Sequence, residues 1–84
     1  MILDFDIELA KLAVKAGTGE IITRDGRNVL IVSWTNNYSE IYPISGVIIG
    51  ANSVQEITSW SSGGQKCIGW ESGEDLFIKP IVEI

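Results

Sequence analysis

Between Ile21 and Trp34 the chain reads Ile-Ile-Thr-Arg-Asp-Gly-Arg-Asn-Val-Leu-Ile-Val-Ser-Trp, two β-branched runs on either side of Asp25-Gly26. No other stretch constrains the fold as tightly. An Asp-Gly pair between such runs is a strong short-range hairpin signal. A two-residue type I′ turn needs positive φ at both central positions, which Asp tolerates and Gly adopts freely. The spacing therefore predicts a two-residue hairpin at Asp25-Gly26, with the guanidinium groups of Arg24 and Arg27 at one end of it. A lone hairpin is marginal in water, so the remaining chain has to supply a helix for one face and further strands to complete a sheet.

Before the hairpin, Asp4 is placed as an N-cap with Asp6 and Glu8 in the positive first turn of a helix. Phe5, Leu9, Leu12, Ala13 and Ala16 follow at helical spacing as one apolar stripe. Lys11 and Lys15 suit the C-terminal end of the dipole, and Gly17 is the expected residue after it. The helix is expected from about Phe5 to Ala16.

After the helix, short strands are expected at 21–23, 28–34, 41–49, 54–60, 66–70 and 75–79. Pro43 sits near the start of the third and Pro80 stops the last. The second strand is apolar on both faces, Val29 and Ile31 on one, Leu30, Val32 and Trp34 on the other. Such a strand is central and covered on both sides. One helix covers one face, so a second sheet or a second subunit is expected over the other, at an interface including Val29, Ile31 or Val47. Gly46, inside the third strand, predicts a bulge or a close backbone approach. Thr35 to Ser39 reads as a polar loop, Gly50 to Ser53 as a turn, and Ser61 to Gln65 as an exposed, flexible hairpin loop. The expected architecture is α+β, one N-terminal helix packed on a small antiparallel sheet or half-open barrel of about six short strands. It forms a single domain over residues 1–84.

Composition narrows the chemistry. At 84 residues a chain hides only about 60–65% of its unfolded surface, so assembly with other copies is a route to stability. The apolar fraction of 45% and the positive mean hydropathy argue for a folded chain with apolar surface to spare. No apolar run reaches the ~20 residues of a membrane span. The N-terminus lacks a basic, then apolar, signal segment, so the cytoplasm is the expected compartment. The single cysteine, Cys67, excludes an internal disulfide, and the lack of histidine removes the commonest general base and metal ligand. No cofactor is expected. A net charge of −5 argues against DNA or RNA as a partner. The glycosylation sequon Asn37-Tyr38-Ser39 reads as chance in a chain that is not secreted.

Arg24 and Arg27 can form a fork for phosphate or carboxylate, or simply keep a turn soluble. Trp34, Trp60 and Trp70 fall at strand ends or beside turns. There they can stack on a planar ligand or fill a small core. Trp34 reads as core, while Trp60 and Trp70, flanking the glycine-rich loop, are placed as exposed. Gly63-Gly64-Gln65-Lys66 lacks the Gly-Lys-Ser/Thr ending and the following helix of a phosphate loop. Glu74 and Asp75 are adjacent, point to opposite sides of a strand and cannot act as a carboxylate pair. Ser61 and Ser62 have no base. A non-enzymatic role is expected.

The helix ending at Gly17, the Thr23-Arg24-Asp25-Gly26-Arg27 turn, Tyr42-Pro43-Ile44 and the closing Trp70-Glu71-Ser72-Gly73-Glu74-Asp75-Leu76-Phe77 resemble a family of small domains found in phages and gut bacteria. More distantly, the order of elements and the terminal Trp70…Asp75-Leu76 are similar to phage Thoeris anti-defence sponge proteins. The chain departs from these with Arg27-Asn28 and Pro80-Ile81 where aromatic residues are usual. The resemblance implies a homo-oligomer that binds a cyclic nucleotide-type signal between subunits and withholds it from host effectors. Of six basic residues, Lys11 and Lys15 belong to the helix and Lys79 to the terminus. A phosphate-bearing ligand would then fall to Arg24, Arg27 and Lys66, with Trp60 and Trp70 as stacking surface, the two groups meeting across a subunit interface. The alternative is a protein-interaction module that inhibits a host protein through an apolar sheet edge.

Overall fold

The computed structural model describes residues 2–35, 40–50 and 55–81. The Asn37-Tyr38-Ser39 sequon and most of the expected turn at Gly50 to Ser53 lie outside the described residues. The elements are β1 (Leu3–Asp4), α1 (Ile7–Ala16), β2 (Gly19–Thr23), β3 (Asn28–Ser33), β4 (Ile44–Ile49), β5 (Gln55–Trp60) and β6 (Leu76–Pro80). All strands pair antiparallel in one sheet of order β1-β6-β2-β3-β4-β5. One helix on an antiparallel sheet is the expected α+β class, and the sheet is open, not closed into a barrel. The last strand returns to lie between the first two, with Ile78 opposite Leu3 on one side and Ile21 on the other.

The helix starts two residues later than expected, because Leu3 and Asp4 are drawn into pairing with β6. Asp6, not Asp4, is the N-cap, its carboxylate accepting from the Leu9 N–H at 3.0 Å. Gly17 ends the helix at φ +71°, and the Thr18 N–H closes back onto the Ala13 carbonyl at 2.9 Å. The face that meets the sheet is small: Ala10 and Ala13 are buried, while Leu9 and Leu12 of the expected stripe are 44% and 64% exposed. A Cβ on Gly19 would stand 3.0 Å from the Ala13 Cβ, so helix and β2 are too close for large side chains between them. Alanine therefore wins the inner face over leucine.

Alternation sorts the rest. Ile21, Ile78, Leu76, Ile48, Ile44 and Trp60 face the helix side and form the core, with Val29, Ile31, Phe5 and Trp34 packed against it. Val29 and Ile31 are thus inner residues and not the oligomer surface expected of them. The register of β3 against β4 shifts between Ile31 and Ser33, opposite Gly46 and Ser45, so Val32 is an extra residue. The bulge reverses the alternation and sends Trp34 to the core side. Gly46 is the close approach expected of it, since a Cβ there would lie 2.6 Å from the Leu30 carbonyl oxygen.

The segment from Ser61 to Asp75 is not the expected loose loop followed by a strand at 66–70. Ser61 and Gly64 are buried. Gly64, at φ +79°, donates to the Ser61 carbonyl and accepts from the Leu76 N–H, both at 2.8 Å. A Cβ on Gly64 would meet the Phe5 ring at 2.7 Å, so glycine here lets the segment close over the core. Lys66 to Trp70 forms a tight turn around Ile68-Gly69, bridged only at Cys67 and Trp70. Pro80 is not a stop but the final paired residue of β6, opposite Gly19.

Candidate functional site

The hairpin tip differs from expectation by one residue. The Gly26 N–H donates to the Thr23 carbonyl at 2.9 Å and the Thr23 N–H to the Arg27 carbonyl at 2.8 Å, leaving Arg24, Asp25 and Gly26 as a three-residue loop. Gly26, at φ +89°, takes the left-handed position that such a loop requires. Thr23, fully buried, explains the extra residue: its hydroxyl donates to Asp25 and accepts from the Arg27 N–H at 2.9 Å, tying both arms together.

The tip docks onto the end of the 61–75 segment. Asp75 is 5% exposed, and its carboxylate accepts the backbone N–H of Lys66 at 2.9 Å and of Ser72 at 3.0 Å, and Arg24 Nη2 at 3.3 Å. Its own carbonyl accepts the Arg24 N–H at 2.8 Å, and the Gly73 carbonyl accepts the Asp25 N–H at 3.0 Å. Arg27 is held by Asp25 at 2.8 Å and by Glu74 at 3.4 Å. Trp60 Nε1 donates to the Glu74 carbonyl at 2.7 Å. The Arg27 guanidinium and the Thr23 hydroxyl hold the Asp25 carboxyl below its ordinary range. Glu74 is pushed up, first by a hydrogen bond with the Glu56 carboxyl and then by burial, against the pull of Arg27 and Lys66.

Four of the five residues singled out from the sequence, Arg24, Arg27, Trp60 and Lys66, therefore converge within one chain, with no subunit interface needed to bring them together. They converge inward. Trp60 is 0% exposed, so its ring is core and not the exposed stacking surface expected of it. Both arginines are paired with carboxylates, and Lys66 contributes its backbone. Trp70 stands apart on the Cys67–Trp70 turn, 72% exposed. The organising residue, Asp75, enters the sequence reading through the Trp70…Asp75-Leu76 resemblance and as the neighbour of Glu74 that argues against a catalytic pair, with nothing to mark it as a buried anchor. A buried acid that receives two backbone N–H groups leaves no periodic trace.

Beside the tip, on the sheet face away from the helix, lies a cleft of about 570 Å³. Ile2, Ile22 and Phe77 make its apolar floor, with Arg24 and Lys79 on its walls. The Arg24 guanidinium carbon sits 4.9 Å from the Phe77 ring centroid, a cation–π contact. Lys79 has no ion pair among the described residues, although Glu20 is its cross-strand neighbour.

Further along the same face, the β3–β5 half is apolar and no described residue covers it. Register places Leu30 beside Val47 and Val47 beside Ile57, flanked by Ile49. Leu30 is 61% exposed, Ile57 85% and Ile49 40%, and Val32 on the bulge is 69% exposed. The interspersed residues on this face, Ser45, Gln55 and Ser59, are uncharged. Among the described residues no helix is long and apolar enough to cross a membrane, and no group of three His, Cys, Asp or Glu side chains is set to hold a metal. No family model, curated protein or solved structure matches the chain.

Proposed function

We propose that this chain is a non-enzymatic interaction module whose working surface is the open face of its sheet, and whose first partner is a second copy of itself. One observation carries this reading: Leu30, Val47, Ile49 and Ile57 form a contiguous aliphatic patch whose interspersed described residues are uncharged, with Glu20 only at its β2 border. Isolated exposed aliphatics are ordinary, but a contiguous patch on a small monomer marks an interface. The chain bears −5 overall, so two copies repel except where they meet through a neutral surface. The centre of the patch offers an acidic or basic partner no described charge to pair with, whereas an identical neutral face is its own complement. Burying four such side chains from each copy contributes on the order of 10 kcal/mol. Association costs a similar amount, which points to a reversible dimer. Among the described residues the apolar groups of this patch lie mainly on the face and not on the sheet edge, where Ile57 of β5 contributes.

Nucleotide sequestration by the set singled out from the sequence, Arg24, Arg27, Trp60, Lys66 and Trp70, the function implied by the resemblance, is the weaker proposal, because Trp60 is inside, Arg27 is held by two carboxylates and Trp70 stands apart. Sedimentation velocity tests the self-association. Wild type is expected to shift from monomer to dimer as concentration rises, and Ile57→Lys to remain monomeric with an unchanged fold by circular dichroism. A wild-type monomer at about 100 μM, well above a micromolar Kd, would overturn the proposal.

A further inference from the structure

We infer that the cleft between the hairpin tip and β6 is a binding site for a planar aromatic ring carrying an anionic group. Its volume of about 570 Å³ lies within the range of small-molecule sites. Phe77 and Ile2 line the cleft with apolar surface, and the Arg24 guanidinium already lies over the Phe77 ring. Guanidinium planes stack on aromatic rings, so a ring entering the cleft can continue the stack on the outer side of Arg24. Arg24 is held in place for such stacking. Its Nη2 is on Asp75 and its Nε donates to the Ser72 carbonyl at 3.2 Å, which leaves part of the donor fork unspent. Lys79, without an ion pair among the described residues, supplies a second cation for the anionic group. None of the described neighbouring acids occupies the Lys79 ammonium directly. Asp25 in the cleft wall is held by Arg27, and Glu20 and Asp4 stand across from Lys79 and Phe77 without an ion pair to Lys79 or Arg24. Ring and anion together are met by a nucleotide or by an aromatic carboxylate. The site needs only β6, the hairpin tip and Ile2 of one chain, so it does not rest on the self-association proposed above.

Amide chemical shifts of the intact chain test this with four probes: AMP, 2-naphthoate, the neutral 2-naphthalenemethanol and inorganic phosphate. The two probes that join a ring to an anion should shift the amides of Ile2, Gly26, Phe77 and Lys79. The neutral ring and phosphate alone should shift them far less. AMP against naphthoate separates the nucleotide from the carboxylate source. Lys79→Gln, an exposed change that spares the fold, should weaken binding roughly fivefold or more. Phe77→Leu should do the same while keeping a dispersed spectrum, and Ile57→Lys should bind as wild type does. Absence of cleft shifts at about 5 mM of every probe, weaker than any specific affinity, would overturn the site. So would shifts confined to Leu30 and Ile57, equal binding of the neutral ring, or indifference to Lys79→Gln.

Discussion

The two faces of this sheet carry similar residues and have opposite fates. On β4, Ile44 and Ile48 are 0% and 1% exposed, while Ile49, the next residue along, is 40% exposed. On β5, Trp60 is fully buried and Ile57 is 85% exposed. Alternation decides which residues share a face, but the cover has to come from elsewhere in the chain. The inner face is closed by Ala10 and Ala13 of α1 and by the 61–75 segment, which Gly64 and Asp75 hold in place. Nothing comparable covers the outer face of β3–β5 among the described residues.

The largest effect should come from the inner face. Trp60→Ala removes the largest fully buried side chain and leaves the Glu74 carbonyl without its donor, so a loss of about 3–5 kcal/mol in denaturant midpoint analysis is expected. Ile57→Ala, measured at a concentration where the chain is monomeric, should stay within about 0.5 kcal/mol of wild type. Equal costs at the two positions would break the comparison, because the outer face would then be covered in solution by the chain itself.

Asp75→Ala probes how the inner cover is fastened. It strips partners from the Lys66 and Ser72 N–H groups and from Arg24, at a site 5% exposed. Leaving these two backbone N–H groups without their acceptor costs about 3 kcal/mol together, while the half-exposed Arg24 guanidinium turns to water. Amide exchange should accelerate first in 61–75 and at the hairpin tip, before β3 and β4. Uniform acceleration across the sheet would mean that the segment is not a separately fastened lid.

Much of this division is legible in the sequence. The helix, its end at Gly17, the central position of β3, the close approach at Gly46 and positive φ at Gly26 all follow from local chemistry that each residue carries by itself. What the sequence hides is long-range. Leu3-Asp4 becomes a strand only because β6 returns beside it, and that shifts the helix cap to Asp6. The bulge at Val32 turns Trp34 inward, and no period-two pattern records an inserted residue. Asp25 reads as a turn residue and Arg24 and Arg27 as an anion fork or as solubilising charges, yet Thr23, Asp75 and Glu74 convert the tip into a docked structure. The expected exposure of Trp60 fails for the same reason: flanking glycines signal a loose loop, whereas Gly64 is there to let the chain close over Phe5.

The smallest effect distinguishes the carboxylates at the junction between tip and segment. Asp25, held down by the Arg27 hydrogen bond and by Thr23, releases its proton more readily in the folded chain than in the unfolded one. Its contribution is therefore complete above its ordinary value of 3.8 and is lost as pH falls through the lowered folded value. Glu74 has the opposite sign. Hydrogen bonding to Glu56 and burial raise it, so the folded chain holds that proton more tightly than the unfolded chain. The stability it lends is complete below its ordinary value of 4.5 and is lost as pH rises through the raised folded value. Thermal melts across acid pH should show Tm climbing as Asp25 ionises and then declining as Glu74 does. Glu74→Gln keeps a neutral group that can hydrogen bond to Glu56, so it should flatten the declining limb and leave the Asp25 limb in place. The exposed part of the Arg27 pair makes its loss in this variant a minor correction. A declining limb that survives in Glu74→Gln would assign it to other groups and separate β5 from the segment that Asp75 fastens.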